Sequence, residues 1–462
     1  MRYISTRGNA ASRSFKEILL EGLAPDGGLY MPESYPELRK FRLWGQGYVD
    51  VALSVLNSFA PDISWDDLQT IVRRTYTKEA FGDERITPVE MLEPNLGLLR
   101  LSNGPTLAFK DVPLQLLGAL MEHVLRERNE ELNILGATSG DTGSAAAYAV
   151  RGKRGLRLFM LSPYGRMSRF QQRQMYTLDE PNIFNLVANG TFDDCQAVVK
   201  EVNADAEFKK KYKLGAVNSI NWARIAAQVV YYAYAFLHVA RTAYDHVTFA
   251  VPSGNFGNAL SAHIARQMGL PIDIIVCTNE NDVLDEFFRT GAYRVRASAD
   301  VRITSSPSMD IASASNFERF MFDYVDRDAQ ALTRLWAELK EKGQFSVREN
   351  DPGYVVDISS GKATEAEVLA TIHHVYEKYD VIIDPHTAVA MKVALERRDK
   401  DVPMIVAETA QPAKFGDTIR EALGFEPPVP KGYERLADLP EHTTRIDPDA
   451  ETVKQFIAAH VQ

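Results

Sequence analysis

The sequence predicts an α/β protein with two open, twisted sheets and flanking helices, preceded by a helical N-terminal extension. Before residue 95, apolar residues recur at helical spacing, whereas later short apolar runs alternate with glycine-bearing loops and alanine-rich stretches. Two of the later units share the loop pattern Ser-Gly-[Asp/Asn]-x-Gly. The predicted divisions are a helical extension (1–94), a domain with Lys110 and the first loop (95–245), a domain with the second loop (246–430) and a tail (431–462).

The composition of the 462-residue chain indicates a soluble protein of enzyme size. A hydrophobic content of 45% and a charged content of 25% are ordinary for globular proteins and exclude wholesale disorder. The net charge of −10 opposes non-specific binding to nucleic acid. Two cysteines build neither a disulfide framework nor a zinc ribbon, and the most apolar stretch, 225–240, is too short to span a membrane. We therefore expect a cytoplasmic protein without a nucleic-acid or membrane partner.

The two related loops each lie between a predicted strand and a predicted helix. Loop 138–143 follows a strand at 134–137, and loop 252–258 follows a strand at 247–251. Glycine lets the backbone approach a ligand closely, and the free N–H groups of a helix N-terminus favour an anion. Each loop by itself could also serve only to pack a helix against a strand. Neither contains a Walker motif or a complete dinucleotide fingerprint, which argues against ATP and NAD.

Two further strand ends precede polar segments. A predicted strand at 381–383 leads into residues 384–387, and another at 403–407 leads into residues 408–415. Because ligands of open α/β sheets bind beyond the carboxyl ends of the strands, we expect all four junctions to face one crevice. His386 follows one of these ends and either lines the crevice or holds its loop.

Lys110 is the candidate nucleophile. Most lysines are solvated, but this one follows Leu107, Ala108 and Phe109 and precedes Pro113, so it is predicted in the first turn of a helix. Apolar surroundings and a helix N-terminus both lower the pKa of an ammonium group. An amine with a lowered pKa can form a Schiff base with an aldehyde.

The remaining reactive side chains have structural interpretations. The nine histidines suggest no metal site, since the adjacent His373 and His374 point to different faces of a predicted helix. Cys195 and Cys277 are interpreted as small core residues.

Eight segments occur in one order along nearly the whole chain and together resemble a known family. They are residues 3–8, 22–30, 105–111, 138–143, 218–225, 252–258, 384–388 and 412–415. In these segments the chain is similar to the threonine synthase family, which belongs to the fold-type-II pyridoxal-phosphate enzymes related to tryptophan synthase β. The first and fifth segments carry the resemblance to threonine synthases in particular.

The resemblance implies pyridoxal 5'-phosphate as cofactor and Lys110 as the catalytic lysine that holds it as a Schiff base. It implies that the cofactor phosphate lies on the second loop, that Asp141 lies beside the cofactor ring, and that Thr409 faces the pyridine nitrogen. The implied phosphate cradle comprises Gly254, Asn255, Phe256, Gly257 and Asn258. The implied binding residues for the substrate carboxylate are Ser139, Gly140 and Thr142.

The implied reaction converts O-phospho-L-homoserine and water to L-threonine and phosphate by γ-elimination and β-addition. Ser219, Asn221 and Arg224 are the candidates for gripping the phosphate of this small-molecule substrate, and Lys414 is a weaker candidate. The family commonly has histidine where this chain has Gln411, which hydrogen bonds but does not titrate. The sequence leaves open whether the chain is a monomer or a homodimer.

Two alternative functions stay open at this point. One is another fold-type-II enzyme, such as a serine or threonine dehydratase or a β-replacing synthase. The other is a non-catalytic binding protein that keeps the fold. The presence of Lys110, Thr409 and both glycine loops favours catalysis.

Overall fold

The computed structural model describes residues 1–38, 40–215, 217, 219–347 and 357–461. Its strands are β1 (Tyr3–Ser5), β2 (Tyr30–Pro32), β3 (Val89–Glu93), β4 (Leu96–Arg100), β5 (Leu132–Ala137), β6 (Leu156–Pro163), β7 (Ile183–Ala188), β8 (Leu214–Gly215), β9 (Val247–Pro252), β10 (Ile272–Thr278), β11 (Ala292–Arg294), β12 (Gln344–Ser346), β13 (Ser359–Lys362), β14 (Met404–Glu408) and β15 (Thr444–Ile446).

The helices precede, connect and cover these strands. They are α1 (Phe15–Glu21), α2 (Lys40–Leu43), α3 (Tyr48–Phe59), α4 (Trp65–Thr75), α5 (Lys78–Phe81), α6 (Asp111–Arg128), α7 (Asp141–Val150), α8 (Arg169–Tyr176), α9 (Phe192–Ala204), α10 (Ala206–Lys211), α11 (Trp222–Val239), α12 (Gly257–Gln267), α13 (Val283–Thr290), α14 (Phe317–Tyr324), α15 (Ala329–Lys342), α16 (Glu365–Tyr379), α17 (Pro385–Arg397), α18 (Gly416–Leu423) and α19 (Ala450–His460).

Two larger sheets organise the fold. The first has the strand order β13-β10-β9-β14-β4-β3, and its strands are parallel except for β3 at the edge. The second has the order β15-β7-β6-β5-β8 and is parallel throughout. Helices α12 and α17 pack on the first sheet, and α7 and α9 pack on the second. In both sheets, parallel pairing points the carboxyl ends of neighbouring strands in one direction.

The strand pairing differs from the predicted division of the chain. Strands β3 and β4, from residues 89–100, join the sheet that otherwise comes from residues 247–408. Strand β15, from the predicted tail, joins the sheet built by residues 132–215. The predicted boundaries at 94/95 and 430/431 therefore do not separate the sheets. Pairing between distant strands depends on tertiary packing, which a local change in composition does not reveal.

One predicted strand is wrong. Residues 381–383 form no strand, although Asp384 behind them caps α17 through hydrogen bonds from the N–H groups of His386 and Thr387. Strand β9 pairs directly with β10 on one side and with β14 on the other, so the sheet offers no central position for a further strand there. The junction before α17 is thus a loop between two helices.

The N-terminal extension is mostly helical, as predicted, with the antiparallel pair β1–β2 in addition. Helix α3 packs on α11, and α1 and α4 pack on α6. Helix α11 covers the apolar stretch predicted as a buried helix, and nearly all of its side chains are buried. Within the residues described, no helix combines the length and apolarity needed to cross a membrane.

Candidate active site

The loops after β9 and β14 and the start of α17 meet at one edge of the first sheet. The N–H of Thr409, after β14, donates to the hydroxyl of Thr387 in the first turn of α17 at 3.2 Å. The N–H of Ser308 donates to Nε2 of His386 at 3.2 Å. The segment around Ser308 also packs against Gly254, after β9. His386 therefore holds a loop, which was one of the two roles that the sequence left open.

The backbone that carries Lys110 is fixed on both sides. Lys110 lies at the N-cap of α6, where the sequence places it. The buried carboxylate of Asp111 accepts hydrogen bonds from N and Oγ1 of Thr106 at 2.8 and 2.7 Å, and burial raises the pKa of Asp111 to about 6. The N–H of Phe109 donates to the carbonyl of Thr409 at 2.8 Å. The chain thus passes from β4 of the first sheet to α6, which packs on α7, at this lysine.

The Lys110 amine lies between the two glycine loops. Its Nζ donates to Oγ of Ser308 at 3.1 Å and lies 3.9 Å from Oδ2 of Asp141. Burial lowers the pKa of Lys110 to about 8; the charge of Asp141 opposes this shift, and the charges of Arg224 and Lys414 add to it. The predicted lowering of the pKa is confirmed, with burial as its main cause. An amine of this kind is partly unprotonated near neutral pH, as nucleophilic attack requires.

Asp141 is held by a second buried lysine. Its Oδ1 lies 2.9 Å from Nζ of Lys414 and accepts a hydrogen bond from Nε2 of Gln171 at 2.9 Å. Burial opposes ionisation of Asp141, but the ammonium groups of Lys414 and Lys110 outweigh it and hold the pKa of this carboxyl well below its usual range. The Lys414 ammonium also donates to the carbonyl of Thr106 at 2.6 Å, so it is fully engaged with the protein. Lys414 thus contacts Asp141 itself.

The first glycine loop turns sharply before α7. Gly140 has a φ of 145°, and a Cβ there would lie 2.6 Å from Cδ of Gln171. The N–H of Gly140 donates to Oγ1 of Thr138 at 3.0 Å. This N–H is therefore used inside the loop, and the contact of Gly140 with substrate stays a prediction. Ser139 and Thr142 lie on either side of this turn and are half-buried.

The second glycine loop leads into the N-terminus of α12. Phe256 is the N-cap residue with a φ of 64°, and Gly257 is the first helical residue. A Cβ on Gly254 would lie 2.4 Å from the carbonyl oxygen of Ser308, so only glycine fits this close approach of two backbones. The buried hydroxyl of Ser253 has no hydrogen-bond partner among the described residues.

The two asparagines of the second loop have different surroundings. The side chain of Asn255 is exposed, and its backbone carbonyl accepts a hydrogen bond from the N–H of Asn316 at 3.1 Å. The side-chain oxygen of Asn258 accepts hydrogen bonds from the hydroxyls of Tyr231 and Tyr232 at 2.5 and 2.7 Å. Asn258 therefore anchors α12 to α11 through its oxygen.

Thr409 presents an unpartnered hydroxyl. Its side chain is buried, and its Oγ1 has no hydrogen-bond partner among the described residues. Its backbone is held by the hydroxyl of Thr387, which in turn donates to Oδ2 of Asp384. A fixed, buried hydroxyl without a partner is suited to a polar atom of a bound ligand.

Arg224 is a buried cation in the first turn of α11. Its Nη1 donates to the carbonyl of Val217 at 3.0 Å, and its Nε has no partner among the described residues. Burial lowers the pKa of Arg224 to about 10, and within the part of the chain that the structure describes no carboxylate forms an ion pair with it. A buried guanidinium with a free N–H and no paired acid is a candidate anion site.

The other two candidates for the substrate phosphate differ from Arg224. Asn221 caps α11 by accepting from the N–H of Ala223 at 3.0 Å, and its Nδ2 donates to the carbonyl of Leu19 at 3.0 Å. Both polar atoms of this fully buried side chain thus make structural hydrogen bonds, and its predicted grip on phosphate stays a prediction. The hydroxyl of Ser219 lies 3.0 Å from that of Ser315, beside the second loop. Asn218, the first residue of the matching segment, lies outside the described residues.

Gln411 does not contact the Lys110 amine. Its Nε2 donates to Oγ of Ser102 at 2.9 Å, and its N–H donates to the carbonyl of Leu107 at 3.0 Å. The residue therefore ties the loop after β14 to the segment that precedes Lys110. A structural role of this kind does not require a titrating side chain.

Several residues at the site were missed from the sequence. Ser308 contacts the amine, Gln171 contacts Asp141, and Asn316 and Arg319 hold the second loop from behind. None of them lies in a glycine loop or follows a predicted strand. For Ser308 and Asn316, the sequence signal was the polar content of residues 304–316, and such content is ordinary for a loop.

Three family models match the chain. The model described as "Threonine synthase N terminus" covers residues 2–76, that of "Pyridoxal-phosphate dependent enzyme" covers residues 81–339, and that of "Threonine synthase, C-terminal" covers residues 387–457. The matches follow one another in this order and leave little of the chain uncovered. The middle match spans Lys110 and both glycine loops.

Individual proteins agree with these models. Threonine synthase from Methylobacillus glycogenes is 53% identical over 100% of both chains, and that from Corynebacterium glutamicum is 53% identical over 99% of this chain and 98% of its own. The structure of a PLP-bound threonine synthase from Brucella melitensis superimposes with a TM-score of 0.94 at 41% identity over all of both chains. The yeast threonine synthase structure gives 0.91 at 36% identity over 99% and 98%. These structures confirm the predicted fold class, and the chain belongs to the threonine synthase family.

Proposed function

We propose that this chain converts O-phospho-L-homoserine and water to L-threonine and phosphate, with pyridoxal phosphate as its cofactor. Membership of the threonine synthase family supports this reaction. The observation that carries the proposal is the buried Lys110 amine, which has a lowered pKa and lies between Asp141 and the loop around Gly254. The Lys110 amine supplies a nucleophile, and the Asp141 carboxylate supplies a fixed negative charge. The N-terminus of α12 supplies the proposed anion site.

The residues present fit pyridoxal phosphate. Gly254 allows an approach of two backbones that a Cβ would block, and the free N–H groups at the N-terminus of α12 suit a phosphate. Ser253 and Thr409 each offer a buried hydroxyl that lacks a partner within the described ranges. We propose that loop 254–258 holds the phosphate, that Thr409 faces the pyridine nitrogen, and that Lys110 binds the aldehyde. When bound, the cofactor supplies an aldehyde for amines and a ring that withdraws electrons from the substrate carbons.

Lys110 has the position and the basicity for moving protons. The reaction removes protons at the substrate Cα and Cβ and releases phosphate from Cγ. It returns a proton at Cγ and, after water has added at Cβ, another at Cα. A pKa near 8 lets the Lys110 amine accept and release protons close to physiological pH. Asp141 stays ionised beside this amine, so it stabilises the ammonium form that follows each proton uptake.

Arg224 is the proposed grip on the departing phosphate. Its guanidinium lies close enough to Lys110 to lower the pKa of the amine, and it has no acid partner within the described ranges. A planar guanidinium matches phosphate oxygens, and a phosphate there would compensate the buried charge. Ser139 and Thr142, beside Asp141, remain the proposed donors to the substrate carboxylate, and Ser219 a proposed donor to the phosphate.

The cofactor proposal is tested on Lys110 directly. The purified protein should be yellow, should lose its visible absorption on borohydride reduction, and should then carry the reduced adduct on Lys110 in a peptide map. Lys110→Ala should lose this adduct and at least about 10³-fold of threonine formation. Lys340→Ala, which changes an exposed lysine, is the matched control and should behave as the parent.

The substrate proposal is tested by product identification. The parent is incubated with O-phospho-L-homoserine, L-serine or L-threonine, and phosphate, threonine and oxo acids are measured. Equal amounts of phosphate and threonine from the first substrate are expected. Oxo acids from serine or threonine without threonine formation would instead indicate a dehydratase, and a protein that takes up no cofactor would indicate a binding protein.

We further propose that the chain works in the cytoplasm as a monomer or a homodimer. Its two cysteines are both free and buried, which is compatible with a reducing compartment. Sedimentation of the holoenzyme at several concentrations distinguishes the two assembly states.

A further inference from the structure

Ser308 contacts the reactive amine from a segment that no sequence motif covers. It lies in the single-turn 3₁₀ helix Pro307–Met309, in the connection between β11 and α14. Nζ of Lys110 donates to Oγ of Ser308 at 3.1 Å. Among the described residues, Ser308 is the one hydrogen-bond partner of the Lys110 amine, because Oδ2 of Asp141 lies 3.9 Å away.

The backbone of Ser308 is held from two sides. Its N–H donates to Nε2 of His386 at 3.2 Å, and Nδ1 of His386 lies 2.8 Å from Oδ1 of Asp384. This geometry assigns the ring proton to Nδ1, because Nε2 accepts. On the other side, the Ser308 carbonyl packs against Gly254. The hydroxyl is therefore placed between Lys110 and the second glycine loop.

A buried polar network fixes the rest of this connection. Nδ2 of Asn279 donates to Oδ1 of Asp310 at 2.8 Å and to Oγ of Ser306 at 3.0 Å. The N–H and hydroxyl of Thr304 donate to the Asp310 carboxylate at 2.9 and 2.7 Å. None of these groups contacts Lys110. The position of Ser308 is thus set independently of the amine that it meets.

We propose that Ser308 is a positioning residue: its hydroxyl oxygen accepts a hydrogen bond from Nζ of Lys110 and holds the amine between the two glycine loops. The assignment rests on the proposed function, in which Lys110 moves protons at the substrate. When the amine takes a proton from a substrate carbon, the ammonium donates one N–H to Ser308 and faces the Asp141 carboxylate. Ser308 itself neither gains nor loses a proton. Its role is to keep Nζ at one place through successive transfers, as effective proton transfer requires.

The charged groups around the amine define the expected pH dependence. Asp141 favours the ammonium form of Lys110, whereas burial, Arg224 and Lys414 disfavour it. The Ser308 oxygen accepts from Nζ and so favours the ammonium form as well. Removing the hydroxyl should therefore shift the titration of the amine to lower pH.

The first measurement follows cofactor uptake by the full-length protein after its cofactor has been removed. The parent is mixed with pyridoxal phosphate across a pH series, and growth of the visible absorption is recorded. The uptake rate should rise with pH with a midpoint near 8, because attack needs the unprotonated amine. In Ser308→Ala the limiting rate should fall by about 3- to 10-fold, the effect of losing one hydrogen bond, and the midpoint should move to lower pH. Ser308→Thr keeps the hydroxyl and should recover most of both losses.

The second measurement separates the hydroxyl from its loop. In Ser308→Ala, kcat for O-phospho-L-homoserine should fall by about 10-fold while KM changes by less than about 2-fold. Ser305→Ala removes a hydroxyl three residues away that has no hydrogen-bond partner among the described residues, and it should keep a parental uptake rate and midpoint. If the alanine variant does not fold, Ser308→Cys offers a weaker acceptor of similar size for the same comparison.

Two results would overturn the assignment. One is an uptake rate and midpoint in Ser308→Ala equal to those of the parent, and the other is an equal loss in Ser305→Ala. Failure of the proposed function is recognised separately, because then the parent forms no threonine, whereas cofactor uptake still reports on the contact between Ser308 and Lys110.

Discussion

The two glycine loops share a sequence pattern but hold different kinds of group. The loop before α7 carries Asp141, which two lysine ammonium groups face at 2.9 and 3.9 Å. The loop before α12 carries no charged side chain and ends at a helix N-terminus. The first loop therefore places a negative charge beside the reactive amine, and the second is proposed to accept a negative charge from a ligand.

The difference comes from what packs against each loop. Gly140 lies against the side chain of Gln171, which also donates to Asp141. Gly254 lies against the backbone carbonyl of Ser308, which leaves no room to adjust. The same short motif thus allows a turn over a side chain in one place and a contact between two backbones in the other. The partners, which are distant in sequence, decide the role of the loop.

The largest expected effect is on stability, at the first loop. Asp141→Asn leaves the Lys414 and Lys110 ammonium groups buried without their acid, so the free energy of unfolding should fall by about 3–5 kcal/mol. Urea denaturation of the cofactor-free protein, in which the Lys110 amine is free, measures the change. Asp193→Asn, at an exposed position, should change it by less than about 0.5 kcal/mol. Equal losses in the two variants would show that the buried charge does not stabilise this loop.

A glycine substitution in the second loop should act on cofactor binding. In Gly254→Ala the new Cβ lies 2.4 Å from a carbonyl oxygen, so the backbone must shift away from the anion site. This shift of the backbone should weaken pyridoxal phosphate binding by about 10²-fold. Fluorescence titration gives the dissociation constant. Gly257→Ala, whose Cβ would meet Nδ2 of Asn316 at 3.4 Å and Cδ1 of Ile225 at 3.6 Å, should lose far less, and a reversed order would contradict the assignment of the cradle.

An acidic residue placed in the second loop, as in the first loop, tests the difference between them. Asn255→Asp adds a negative charge where the phosphate of the cofactor is proposed to lie, so the dissociation constant should rise by about 10-fold, and less at high salt. Because the Asn255 side chain is exposed, the free energy of unfolding should change by less than about 0.5 kcal/mol. Asn255→Ala removes the amide without adding charge and serves as the control. Equal dissociation constants for pyridoxal phosphate in the two variants would show that the added negative charge does not weaken cofactor binding at this loop.

The sequence predicted the local parts of this site well. Lys110 begins a helix because its own neighbours are apolar on one side and helix-forming on the other, and both glycine loops lie between a strand and a helix as expected. These features depend on periodicity and turn residues within a few positions. The two loops follow strands of different sheets, and the Lys110 amine, which contacts Ser308 and faces Asp141, lies between them.

The parts that escaped prediction depend on distant contacts. Strand β4 could have joined either sheet, since its apolar run suits both. Asn221 and Arg224 are three residues apart, yet only the first faces the N-terminal segment, at Leu19. Ser308 reaches the amine because His386, which follows it by 78 residues, holds its backbone. No spacing rule connects such pairs, because each is created by tertiary packing.

The smallest expected effect concerns Gln411, where the family commonly has histidine. The Gln411 side chain donates a hydrogen bond to Ser102 and does not reach the Lys110 amine. Its role is therefore to stabilise the loop that carries Thr409. A neutral imidazole also offers one N–H donor, so Gln411→His should change kcat by less than about 3-fold, within the range for exchanging one hydrogen bond. It should also leave the midpoint of cofactor uptake unchanged, because the added titratable group does not touch the amine. Gln411→Ala, which removes the donor, should cost more. A new limb in the pH profile of the histidine variant would show instead that this position communicates with the proton transfers, and the structural role argued from Ser102 would then be insufficient.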